Sequence, residues 1–166
     1  VGDNITTDHI MPAGAAILPY RSNIPKMSEF CFGVCDESFP ERAKALGGGI
    51  IVGGANYGQG SSREHAAICP MYLGVKAVIA FAIERIHSAN LVNFGIMPLL
   101  FANQADYELI EEGDKLTIAN ARELLKENKL TALLTKTDGT THTIPLTHKL
   151  SDEDIAIILA GGMLNC

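Results

Sequence analysis

The sequence lacks long hydrophobic runs, paired cysteines and any excess of positive charge, and each absence removes a class of function. No stretch approaches the roughly 18 apolar residues that a membrane-spanning helix requires. The most apolar segment, Val75 to Ile83, is short and contains Lys76, so no membrane partner is expected. Cysteine occurs only at Cys31, Cys35, Cys69 and Cys166, without the paired CxxC spacing of a zinc site. The thiols read as reduced, some of them in the core. Positive charge is scarce: 13 Lys and Arg against 19 Asp and Glu leave a formal net charge of -6. A field of that sign opposes polyanions, which argues against nucleic acid and against an anionic membrane surface. Any anionic ligand must therefore be held by a local positive site.

What is present is a 166-residue chain, 47% apolar and 19% charged, the length and mixture of one globular domain. It opens at Val1 without a methionine and enters motif-dense sequence within a residue or two, with neither a charged leader nor an apolar signal core. That start reads as a cut edge, and with the reduced thiols it leads to the expectation of a cytoplasmic protein. Turn formers crowd the first 45 residues (Asp3-Asn4, Pro12, Pro19, Ser22-Asn23, Pro25), predicting a long shaped loop. From Gly47 onward short apolar runs alternate with amphipathic stretches, as in βαβ units. Strands are predicted over 49–54, 75–81, 96–101 and 115–118, and helices over 61–73, 83–94 and 121–127. A hairpin is predicted over 130–143, turning at Asp138-Gly139. A last helix over 151–159 has Ser151 as N-cap and acids in its first turn. The fold class is α/β, one compact domain over residues 1–166.

The richest stretch is GGANYGQGSSREHAA, Gly53 to Ala67, after a predicted buried strand and at the opening of a predicted helix. Unpaired N–H groups at a helix N-terminus attract anions, and Gly58 and Gly60 admit a close backbone approach. Arg63 adds a planar charge able to grip a carboxylate with two parallel hydrogen bonds. Ser61 through Glu64 also fits a capping box, and the two roles can coexist. The stretch is neither a P-loop nor a dinucleotide fingerprint, since no Lys follows the last glycine and the glycine spacing differs. The missing GxSxG elbow argues against a serine hydrolase. A second polar group, Asp3, Asp8, His9 and Arg21, is set in an apolar, Pro-rich segment. A third, Glu84, His87 and Ser88, shares a helix face by its spacing and reads mainly as a structural polar face.

Taken together, GDNITTDHIMPAG, Tyr20-Arg21, ANYGQGSSREHAA and ERIHSANLVNFGIMPL closely resemble the C-terminal swivel domain of the aconitase family over about residues 2–101. The resemblance implies a swivelling β/β/α-type domain of a bacterial-type aconitate hydratase, a hydro-lyase that isomerises citrate to isocitrate through cis-aconitate. It implies a four-iron four-sulfur cluster bound by other domains or a partner chain, with no metal ligand on this one. By motif position, Ser61 corresponds to the serine base. Ser62, Arg63, Arg21 and Asp8 correspond to substrate-binding or active-site positions, Arg21 gripping a terminal carboxylate. The implied partners are a tricarboxylic or hydroxy-acid substrate and cluster-bearing domains or a large subunit. The alternative is the small subunit of a 3-isopropylmalate isomerase or homoaconitase. One departure stands out: Phe81-Ala82-Ile83 replaces the Lys-Ser-Phe of many relatives, which puts a contact with another domain or with substrate in question.

Overall fold

In a computed structural model of the chain, residues 3–11, 19, 22–32, 38–46, 49–60, 64–111, 114–118 and 130–160 are described. The sheet has six strands in the order β1-β2-β3-β6-β5-β4. They are β1 Gly49–Val52, β2 Val75–Ala80, β3 Met97–Phe101, β4 Lys115–Ile118, β5 Thr131–Thr135 and β6 Thr141–Thr147. The first three are parallel, β1 on β2 from Ile50↔Ala77 after a one-residue shift at Gly49↔Val75 and β2 on β3 from Ala77↔Met97, and the last three pair antiparallel. A narrow seam joins the halves: β3 meets β6 only at Leu100↔Thr147 and Phe101↔Leu146.

The parallel half exists because each crossover carries a helix. α4, His65–Tyr72, connects β1 to β2, and α5, Arg85–Asn93, connects β2 to β3. Side chains of β2 alternate between two cores, as a strand buried on both faces requires. Val78 and Ala80 enter one with Ile10, Tyr57, Ala66 and Cys69, while Ala77 and Ile79 enter the other with Leu99, Leu134, Ile144 and Ile158. The second core is closed by α6, Asp152–Leu159, which buries Ile155, Ile157 and Ile158. Ser151 caps α6 as expected, accepting from the Asp154 N–H at 3.1 Å while the Asp154 carboxylate accepts the Ser151 N–H. The predicted hairpin is present, turning at an exposed tip where Gly139 has φ +90°.

The N-terminal region differs from the predicted loop. It forms α1 Thr7–Ile10, α2 Ile24–Ser28 and α3 Phe39–Leu46. α1 and α2 are too short to show a hydrophobic period, and their caps do the work instead. Thr6 Oγ1 accepts the His9 N–H at 3.2 Å, and Asn23 Oδ1 accepts the Lys26 N–H at 3.2 Å. A 3-10 helix over Gln104–Leu109 was likewise not foreseen. The helix predicted from Ser61 begins at His65, with Glu64 as its N-cap. The capping box predicted on Ser61, and the helix predicted over 121–127, lie outside the described residues.

Candidate functional site: a loop held from three sides

After β1 the chain does not enter α4 directly. Residues 53–60 form a loop held between two segments remote from it in sequence. On one side, Asn4 N–H donates to Ala55 O at 2.8 Å, Gly58 N–H to Ile5 O at 2.7 Å and Thr7 N–H to Gln59 O at 2.8 Å. The Asp3 carboxylate accepts the Ala55 N–H at 2.8 Å, and Asn56 Nδ2 donates to Asn4 Oδ1 at 3.0 Å. On the other side, Tyr57 N–H donates to Ala82 O at 3.0 Å, Glu84 N–H to Tyr57 O at 2.8 Å and Phe81 N–H to Gly54 O at 3.1 Å. Thr6 and Gln59 thus form one parallel bridge and Tyr57 and Ile83 another, so residues 57–59 run between two segments that pair with them.

Side chains then fill the space against the loop so closely that three of its glycines, Gly53, Gly54 and Gly58, are required for room. A Cβ on Gly54 would collide with the Asp3 carboxylate, and one on Gly53 would lie 2.9 Å from the Tyr57 ring. Gly58 is constrained twice: its φ of +84° suits glycine, and a Cβ there would drive into the His87 imidazole. Tyr57 itself is 1% exposed.

Of the residues expected to act, only Asp8 is described. It is exposed in the first turn of α1, and the bond from its neighbour Thr7 to Gln59 sets it beside the far end of the loop. Ser61, Ser62, Arg63 and Arg21 lie outside the described residues, although both flanks of 61–63 are defined. Gln59 is bonded to Thr7 on one flank, and the Glu64 carbonyl accepts the Ala67 and Ile68 N–H groups on the other. His9 has a structural part, its Nδ1 lying 2.9 Å from the Thr6 N–H that it accepts.

His87 is the residue that sequence reasoning placed on the wrong kind of surface. It is 2% exposed, and burial pulls its pKa from 6.5 down to about 4. The available signal was the glycine at 58, whose need for space points to a bulky neighbour. Phe81, the first of the three departing residues, stacks edge-on against Phe101 and Tyr107 at 5.6 and 5.1 Å. The loop is held there through the backbone of 81–84, and those bonds do not depend on which side chains stand at 81–83.

No group of three or more His, Cys, Asp or Glu is placed to hold a metal ion among the described residues. Cys31 and Cys69 are free and buried. Burial pushes the Cys31 thiol well up and that of Cys69 up to about 12. An iron–sulfur cluster takes several thiolate ligands, and the two described cysteines do not form such a set. No described helix is long and apolar enough to cross a membrane.

The geometry has close counterparts. Residues 36–104 match the model of the aconitase C-terminal domain. A solved 3-isopropylmalate dehydratase chain from Methanocaldococcus jannaschii superposes with a TM-score of 0.78 at 32% identity, covering 99% of this chain and 87% of that one. The chain belongs to the aconitase C-terminal domain family. Other members of this family are similar along the sequence. The mitochondrial aconitate hydratase of Gracilaria gracilis is 36% identical over 96% of this chain, and the mitochondrial homocitrate dehydratase of Saccharomyces cerevisiae 35% identical over 69%. The chain spans only 23% and 15% of those proteins. The aconitase swivel fold expected from the motifs is therefore present, and the family is one of hydro-lyases. The expected cytoplasmic location is corrected: the matching aconitate hydratases of G. gracilis, Caenorhabditis elegans and S. cerevisiae are named mitochondrial. Reduced thiols, on which that expectation leaned, do not distinguish a cytoplasmic from a mitochondrial protein.

Proposed function

We propose that this chain is the swivel domain of an aconitate hydratase, a C-terminal part of a larger enzyme that isomerises citrate and isocitrate through cis-aconitate. Ser61 removes the proton next to a substrate carboxylate, Arg63 and Arg21 grip carboxylates, and Ser62 and Asp8 complete the contacts. A serine hydroxyl is a weak base and needs positive surroundings, and in this reading the Arg63 charge, two residues along the chain, is the group that provides them. Two arginines suit a multiply charged acid in a protein whose net charge is -6. The four-iron four-sulfur cluster of this chemistry belongs, in this reading, to other domains or a partner chain, and this chain's part is the base and the carboxylate grip.

The observation that supports this reading best is the loop at 53–60. It is bonded on both sides and leads directly to Ser61, the kind of fixed support that a base requires to meet one C–H bond repeatedly. In the complete enzyme, Ser61→Ala is expected to lower turnover of cis-aconitate by at least a thousandfold while leaving the cluster's absorption spectrum unchanged. Near-normal turnover would remove the base assignment.

The similarity to the M. jannaschii 3-isopropylmalate dehydratase over 99% of this chain favours a second reading, in which the chain is a separate small subunit acting on a branched or longer analogue. Isopropylmalate carries an apolar branch in place of one carboxylate, so the arginine at 21 favours citrate. Assaying citrate, homocitrate and isopropylmalate in parallel separates the readings.

A further inference from the structure

His87 lies at the centre of the supports just described, yet nothing in the proposed chemistry uses it. Its ring is almost wholly buried, and neither Nδ1 nor Nε2 has a hydrogen-bond partner among the described residues. Among the described residues the ring is neither a cap nor half of an ion pair. Its contacts are with the loop: the Tyr57 ring is 5.5 Å away between centroids, tilted by 54°, and the space where a Gly58 Cβ would stand is occupied by the imidazole.

The direction of this contact matters. The hydrogen bonds with Ile5, Thr7, Ala82 and Glu84 fix the loop's register along its two edges. The His87 ring stands instead where a Gly58 Cβ would point, and so limits how far the loop can settle in that direction. We propose that His87 is a positioning residue, whose flat ring sets the depth of the 53–60 loop and through it the placement of Ser61, Ser62 and Arg63. This rests on the function proposed above for those three residues. Burial keeps the ring neutral at ordinary pH, which suits a group acting by shape.

The test uses the complete enzyme with His87→Ala and His87→Gln, the second keeping a flat, uncharged group of similar reach. His87→Ala is expected to lower kcat at least tenfold with KM changed less than threefold. Amide exchange in a peptide covering 55–60 should quicken at least tenfold, while exchange in the β5 peptide, 131–135, stays the same. His87→Gln should return kcat and loop exchange to within about threefold of the parent. If His87→Ala does not fold, His87→Asn, which keeps a flat uncharged group one methylene shorter than glutamine, is expected to give a kcat loss and local exchange between those of the parent and of an emptied site. Parent-like kcat in the folded variant, unchanged exchange at 55–60, equal quickening in β5, or no recovery with glutamine would each overturn the proposal. The exchange arm does not depend on turnover. A fully active Ser61→Ala enzyme would thus refute the base assignment separately from the positioning role.

Discussion

At the scale of single residues, the loop before α4 is governed by three collisions that are avoided: Gly53 with Tyr57, Gly54 with Asp3, and Gly58 with His87. The last has a thermodynamic consequence. An unfolded chain binds a proton at His87 below about pH 6.5, whereas the folded chain does so only near pH 4. Between these values the unfolded state holds more protons, so stability falls as pH falls through that window and is fully present above it. At about 1.4 kcal/mol per unit the effect amounts to roughly 3 kcal/mol. Urea unfolding from pH 7 to pH 4 should show this loss, and His87→Gln should remove most of it; equal slopes would count against His87 as its source. Sequence alone made the glycines conspicuous and suggested ligand approach. It left hidden what stands against them, because Asp3 and His87 reach the loop from 51 and 29 residues away, and such distances are set by tertiary packing.

At the scale of elements, the strands and the hairpin were legible because they carry local signals. β1 to β3 are short apolar runs, and Asp138 makes its own turn by accepting the Thr140 N–H at 2.9 Å before Gly139. α6 was legible from its cap. Ser151→Ala is expected to cost about 1 kcal/mol and, in a chain of this size, to lower the melting temperature by roughly 2–4 °C. A thermal melt checks it, and no shift would mean that the bond from Asp154 to Ser151 contributes nothing net. α1 and α2 were illegible since one or two turns show no period, and the turn formers that suggested a loop are partly their caps. Thr6 pairs with His9 where a capping box would ordinarily show Glu or Gln, which disguises it. The start of α4 was placed four residues early because Ser61 and Glu64 satisfy the pattern of a box on their own.

At the scale of the whole molecule, the two halves of the sheet have different tasks. Among the described residues, the backbone bonds that fasten the loop come from residues 3–7 and from 81–84, which enter α1 and α5 of the parallel half. The matched family region, 36–104, contains one wall of the loop and omits the other, which is supplied by residues 3–7. Removing residues 1–10 is therefore expected to unfasten the loop while sparing the hairpin. Chymotryptic cleavage after Tyr57, 1% exposed in the intact domain, should become rapid, and resistance there would show that the 81–84 side suffices alone. The motifs made the family legible over the first hundred residues because they are dense and ordered. The later strands carry only generic patterns, and their place beside β3 is a fact of topology that no local signal contains.

The seam between the halves is two residue pairs wide, and beyond it the β5–β6 hairpin ends in an exposed turn at 137–140. That tip offers a handle. A fluorophore or an inserted peptide tag there would sit at the open end of a ladder of five residue pairs, away from the described supports of the loop. If the chain works as the proposed swivel domain, a rotation against cluster-bearing domains could be followed optically there, with the reporter on the half of the sheet that the proposed chemistry leaves alone.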